Sequence, residues 1–139
     1  MRVIGMIGQT PTTFSAEQLA AHILAKSGRA ISQANVNHCA NEIISHPGGN
    51  NAGGAINGVS YNNQGEARAI YHASRNRGGP AAGCSVFFAD AGGGTAKLLA
   101  IGAHVGTAAG GPVYELDWVA AQDWGGSRRW RAGTRVTLP

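Results

Sequence analysis

The sequence predicts an α+β fold in which two N-terminal helices pack on an antiparallel β-meander of four to six strands. Helical periodicity is confined to residues 15–46, and short runs of strand composition, separated by glycine pairs and triplets, occupy residues 55–138. No helical pattern lies between these runs, which disfavours parallel βαβ winding. The chain has 139 residues, enough for one core, so a single domain spanning residues 1–139 is expected.

Both helices are predicted from end signals and an apolar stripe. Ser15 and Gln18 have the spacing of a capping box, and Gly28 stands where a glycine commonly ends a helix. A second helix is expected to start at Ser32 and to end at Pro47. Its apolar face is formed by Val36, Cys39, Ala40, Ile43 and Ile44.

Glycine-rich turns delimit the predicted strands. The chain has 22 glycines, and GG or GGG recurs from residue 48 onward. The segment from Gly92 to Lys97 lacks the spacing of a phosphate-binding loop and has no helix after it, so it is interpreted as a hairpin turn. The predicted strands cover residues 55–61, 68–75, 84–90, 96–105, 113–119 and 130–138.

Side-chain alternation assigns the chemistry-bearing residues to faces of the sheet. In 68–75, His72 is expected on the face opposite Arg75. In 96–105, Leu98, Ala100 and Gly102 share a face with His104, and these small residues suggest the floor of a shallow cleft. In 113–119, one face is expected to carry Tyr114, Leu116 and Trp118.

The last predicted strand alternates in the same way. One face is expected to carry Trp130, Ala132, Thr134, Val136 and Leu138, and the other Arg129, Arg131 and Arg135. A row of arginines on an open sheet face suits a phosphate backbone, and it equally suits an edge strand protected against aggregation by its charges. Both interpretations stay open.

The charge of the chain is concentrated in its second half. Residues 1–67 hold three cations and three anions, whereas residues 68–139 hold eight cations and four anions, which accounts for the net charge of +4. Nine of the eleven cations are arginine, whose planar guanidinium binds phosphate well. A polyanionic partner such as nucleic acid is therefore favoured over a merely soluble basic surface.

Several classes of protein are disfavoured. The apolar runs are too short for a membrane helix, and the opening residues 1–8 lack the features of a secretory signal peptide. No membrane partner is expected.

Cys39 and Cys84 allow at most one disulfide. His38, Cys39 and His46 do not have zinc-ligand spacing, so neither a metal site nor a cofactor is expected. A Cys84 nucleophile assisted by a histidine is one alternative, and a buried Cys84 is the simpler one.

Three segments resemble known proteins. RAIYHASR at 68–75, the run from Cys84 to Gly106 and VYELDW at 113–118 are similar to small bacterial ribonuclease toxins of the barnase–EndoU–colicin–RelE-like group. The resemblance implies helices followed by an antiparallel meander, and RNA cleavage in the cytoplasm. It also implies an acidic inhibitor, an antitoxin or immunity protein, that covers the basic face. Delivery as a secreted effector without a classical signal peptide is the associated route.

Within that resemblance only His104, which closes its strand, is carried over as catalytic. Metal-independent RNA cleavage needs proton-transfer groups and cations on the phosphate. His104, His72 and Tyr114 are the available proton-transfer groups, and Arg75, Arg129 and Arg131 are the candidate phosphate-binding residues. The leading hypothesis is thus a toxin-like endoribonuclease that uses general acid–base catalysis. The alternatives are a non-catalytic basic domain that binds nucleic acid or an acidic protein, and a Cys–His amidase or peptidase that uses Cys84.

Overall fold

The computed structural model describes residues 1–46, 60–63, 66–120 and 130–138. It is an α+β fold with two helices and a mixed sheet of eight strands. The helices are α1 (Ala16–Ser27) and α2 (Gln33–Ser45). The strands are β1 (Arg2–Ile7), β2 (Thr10–Thr13), β3 (Ser60–Asn63), β4 (Glu66–Arg75), β5 (Cys84–Asp90), β6 (Thr95–Ala108), β7 (Gly111–Val119) and β8 (Arg135–Thr137).

The helix ends follow from the local sequence. The side chain of Ser15 accepts a hydrogen bond from the backbone N–H of Gln18, and the Gln18 side chain accepts from the backbone N–H of Ser15. This is the predicted capping box, and Gly28 ends α1 in the left-handed conformation with φ 65°. Ser32 precedes α2 as predicted, although its side chain makes no capping hydrogen bond.

The centre of the sheet is the expected meander. β4, β5, β6 and β7 pair antiparallel in sequence order, and β8 adds to β7. Gly92, Gly93 and Gly94 all have positive φ in the turn between β5 and β6, which only glycine adopts without strain. The segment predicted as a hairpin turn is therefore confirmed as one.

Two parts of the predicted fold are wrong. The hairpin β1–β2 precedes the helices, so they are not the first elements of the chain. The sheet is not purely antiparallel, because Arg2 and Val3 of β1 pair in parallel with Thr95 and Ala96 of β6. β1 and β7 share one edge of β6. Because β7 pairs with β6 only from Ala100 onward, the earlier residues of this edge are available to pair with β1.

The first and the last predicted strands also differ from the observed ones. Of the run 130–138, only Arg135–Thr137 is a strand, since residues 132–134 form a turn and bend that includes Gly133 at φ 79°. Of the run 55–61, residues 60–61 belong to β3 and residues 55–59 lie outside the described part of the chain.

The sheet separates two groups of buried side chains. The helix face, which packs against α1 and α2, carries Ala73, Cys84, Val86, Phe88, Leu98 and Ile101. The far face, on the other side of the sheet, carries Ile70, Phe87, Ala89, Leu99, Ala100, Tyr114, Leu116, Trp130 and Leu138. Apolar burial on both sides of one sheet makes a compact core for so short a chain.

Register shifts in β6 and β7 place Leu98 and Trp118 on faces other than the predicted ones. An extra residue at Leu99 places Leu99 and Ala100 together on the far face and Leu98 on the helix face. An extra residue at Asp117 turns Trp118 to the helix face, away from Tyr114. These β-bulges interrupt strict alternation, which composition alone does not reveal.

Buried polar contacts hold the helices against the sheet. The Arg29 guanidinium donates to the Asp117 carboxylate at 2.9 Å, and the Ser27 hydroxyl donates to the same oxygen at 3.1 Å. Asn35, 1 % exposed, donates its amide to the carbonyl oxygens of Arg77 at 2.9 Å and Ala82 at 2.8 Å. The loop between β4 and β5 is thereby fixed to the start of α2.

We predict that Gly102→Ala destabilises the fold. A Cβ at Gly102 would collide with the carbonyl oxygen of Glu115 and lie 3.0 Å from the Cα of Leu116, because β7 passes close to β6 at the bulge. Overpacking of this kind costs about 1–3 kcal/mol of the free energy of unfolding, measured by urea denaturation. Gly106→Ala in the same strand is the control, since a Cβ there meets nothing within 4 Å. Equal stability of the two variants would contradict the close approach.

Candidate functional site

Three of the predicted site residues meet on the far face. β4 and β5 pair without a register shift, so His72 lies on the same side of the sheet as Ile70, as predicted. His104 pairs directly with Tyr114 across β6 and β7. We call His72, His104 and Tyr114 the imidazole–phenol cluster.

The Tyr114 ring is the centre of this cluster. Its centroid lies 5.3 Å from that of His104 and 6.2 Å from that of His72. It also packs edge-to-face on Phe87 at 5.1 Å. On the intervening strands, Ser85 of β5 pairs with Gly102 of β6. The backbone of β7 at Glu115 and Leu116, rather than open space, lies against Gly102. Tyr114 is 6 % exposed.

Burial shifts the pKa of two members of the cluster. Burial lowers the pKa of His72, and the nearby charge of His104 lowers it further, so His72 is neutral at pH 7. Burial raises the pKa of Tyr114, so its hydroxyl keeps its proton. The cluster thus offers a neutral imidazole and a protonated phenol side by side.

Both histidines present unused ring nitrogens. Within the described residues, His72 Nδ1 and His104 Nε2 are buried and have no hydrogen-bond partner. Buried polar atoms are usually paired, and leaving them unpaired costs stability. Both unpaired atoms belong to imidazoles that flank one tyrosine.

Sequence analysis missed a pair of serines beside the cluster. The hydroxyl oxygens of Ser74 and Ser85 lie 2.6 Å apart, and Ser85 is completely buried. Ser74 follows His72 by two residues in β4, so alternation predicts that it shares the far face. Ser85 could not be found in this way, since its position depends on the register between β4 and β5.

The predicted arginines do not converge on the cluster. Arg75 pairs with Cys84 at the end of β4, on the face opposite His72. Arg131 is exposed and follows Trp130, whose ring packs on Phe87 at 4.9 Å over the far face. Arg129 lies outside the described residues. Only the chain segment of Arg131 thus approaches the imidazole–phenol cluster.

Cys84 is separated from the histidines by the sheet. Its side chain is completely buried on the helix face, where the Cys39 thiol lies 3.5 Å from the Cys84 carbonyl oxygen. A hydrogen bond to Cys84 and burial raise the pKa of the Cys39 thiol. Both cysteines are free. The arrangement matches the buried alternative for Cys84, and the sheet separates this thiol from His72 and His104.

Metal-ligating clusters and membrane-spanning helices are both absent from the described residues. Among them, no group of three or more His, Cys, Asp or Glu side chains is arranged to hold a metal ion. In the same part of the chain, neither helix combines the length and the apolar character that crossing a membrane requires.

We predict that acidification destabilises the protein in part through His72. Because the pKa of His72 is lowered on folding, the unfolded chain binds this proton more readily. The contribution of neutral His72 to the free energy of unfolding is therefore complete above pH 6.5, the ordinary histidine pKa. It is lost as the pH falls below that value. His72→Phe should lose less free energy of unfolding between pH 7 and pH 5 than the wild type, measured by urea denaturation.

The partly exposed His38, which faces Glu42 at 3.7 Å, provides the control for this experiment. His38→Phe should retain the pH dependence contributed by His72. If His72→Phe and His38→Phe lose the same free energy of unfolding between pH 7 and pH 5, burial on the far face does not keep His72 neutral.

Comparison with known proteins identifies no relative. No family model, curated protein or solved structure matches this chain. The function is therefore inferred from the geometry of the described residues.

Proposed function

We propose that this protein is a toxin-like endoribonuclease that cleaves RNA without a metal ion. The observation that supports the proposal is the imidazole–phenol cluster, in which two histidines with unpaired buried nitrogens flank one tyrosine. Two groups of this kind on opposite sides of a phosphodiester suffice for general acid–base cleavage.

The proposed reaction uses the histidines in different roles. Neutral His72 accepts the proton of a ribose 2′-hydroxyl, and the 2′-oxygen attacks the adjacent phosphorus. The bond from phosphorus to the 5′-oxygen breaks, and His104 acts as the general acid that donates a proton to that leaving oxygen. The products are a 2′,3′-cyclic phosphate and a 5′-hydroxyl end. Each proton transfer contributes about 10²–10⁴-fold to the rate.

Tyr114 and the basic residues complete the proposal. The Tyr114 hydroxyl, which burial keeps protonated, donates a hydrogen bond to a phosphate oxygen as charge develops on it. Arg131 is exposed and follows Trp130, which packs on the far face, and it would attract the RNA backbone. Arg129 remains a proposed phosphate-binding residue of the same segment. Arg75 does not join them, because it ends β4 on the helix face.

The partners follow from the same proposal. RNA is the substrate, and an acidic inhibitor protein would neutralise the excess positive charge of residues 68–139. Cytoplasmic RNA is the target, whether the protein is made in the same cell or delivered as an effector.

The test is RNA cleavage in EDTA by the wild type and three site variants. We expect His72→Ala and His104→Ala to lower kcat about 10²–10⁴-fold, because each removes one proton-transfer group. Tyr114→Phe should lower kcat with little change in KM. The cleaved ends should carry 2′,3′-cyclic phosphate, detected by mass spectrometry.

Matched controls come from the same chain. His38→Ala removes an imidazole from α2, and Tyr71→Phe removes a hydroxyl from the helix face, where the ring packs 4.5 Å from His46. Both should cleave RNA at the wild-type rate. Expression of the wild type and His104→Ala in bacteria, with growth and RNA integrity read together, extends the test to cells.

Three results would contradict the proposal. Cleavage that survives both histidine variants would place the chemistry elsewhere. RNA binding that weakens steeply with salt, without cleavage, would indicate the non-catalytic basic domain. Peptide or amide hydrolysis abolished by thiol alkylation would favour the Cys84 alternative.

A further inference from the structure

A cavity lies on the helix face, away from the imidazole–phenol cluster. It measures about 480 Å³ and lies between α1 and the strands β1, β6 and β7. Its lining includes Val3, Ile4, Phe14, His22, Leu98 and Trp118. Small-molecule sites occupy about 300–1,000 Å³ and are mostly apolar, so this cavity has the size and the character of such a site.

Local packing explains why the cavity exists. Phe14 returns over β1, where Gly5 has no side chain to obstruct its ring, and its backbone N–H donates to the carbonyl oxygen of Val3 at 2.8 Å. The bulge at Asp117 turns Trp118 into the opposite wall. Two aromatic side chains are thereby held apart by backbone geometry, with Leu98 between them on β6.

The charged side chains in and beside the cavity lining are lysines. Lys26 Nζ lies 5.7 Å from the centroid of the Trp118 ring, and its charge helps to lower the pKa of His22, one turn earlier in α1. The neighbouring Asp117 carboxylate is already bound by Arg29 and Ser27. Lys97 belongs to the lining and Lys26 stands beside the lining residue Trp118, while the described residues contribute no carboxylate to the lining.

We propose that this cavity binds a small amphipathic anion, such as a straight-chain carboxylate. The alkyl chain would lie between Phe14 and Trp118, and the carboxylate would face the Lys26 ammonium. Charge complementarity selects the anion over a neutral compound of the same length. Ile4, 48 % exposed, borders the same cavity and leaves it an apolar entrance.

The direct test is isothermal titration calorimetry of the whole chain with hexanoate, octanoate and decanoate. Each pair of added methylenes should tighten binding about 10-fold or more, since one buried methylene contributes about fourfold. Octan-1-ol should bind at least fivefold more weakly than octanoate. Equal affinities for the two would remove the role of the charge and overturn the proposal.

Two variants identify the site. Lys26→Gln should weaken octanoate about fivefold or more and leave octan-1-ol unchanged. Arg135→Gln removes the same charge from an exposed position on β8, where it pairs with Glu115, and should leave octanoate binding unchanged. Ala91→Leu should fill part of the cavity and weaken both compounds, with circular dichroism confirming that the variant is folded.

Other outcomes would also overturn the proposal. If octanoate does not bind at millimolar concentration, or if Lys26→Gln and Arg135→Gln bind it equally, the proposal is wrong. If sedimentation shows a dimer that Ile4→Glu dissociates and octanoate does not bind, a second copy of the chain occupies the cavity, and the proposal is wrong. RNA cleavage plays no part in these measurements, so they are independent of the proposed nuclease.

Discussion

The pairing of β6 with its neighbours is the constraint on which the rest of the structure depends. This strand holds β5 along one edge and both β1 and β7 along the other. The bulge at Asp117 places Tyr114 on the far face and Trp118 on the helix face. Without this bulge, the Tyr114 and Trp118 rings would lie on the same side of the sheet. Neither the imidazole–phenol cluster nor the cavity on the helix face would then have its present lining.

The elements governed by local interactions were predictable from the sequence. The reciprocal hydrogen bonds of Ser15 and Gln18 fix the start of α1, and three glycines fix the turn before β6. The opposite orientations of His72 and Arg75 follow from alternation in a strand whose pairing is regular. Each of these features depends on residues close together in the chain.

What could not be predicted depends on distant pairing. β1 joins β6 across more than ninety residues, and nothing in residues 1–8 specifies a parallel partner. The meeting of His72 with Tyr114 depends on the register of β4 through β7, in which three shifts interrupt the alternation of side chains. Arg75 was grouped with the site from residue type alone, and the sheet separates it from the histidines.

The buried thiols have a consequence for the way this protein opens. Cys39 on α2 and Cys84 on β5 are both fully shielded where the helix rests on the sheet. An alkylating reagent therefore reaches them only when that helix lifts away or the whole chain unfolds. When reclosing is faster than modification, the labelling rate measures the free energy of that opening. The two cysteines are thus built-in reporters of how firmly the helical layer adheres to the strands.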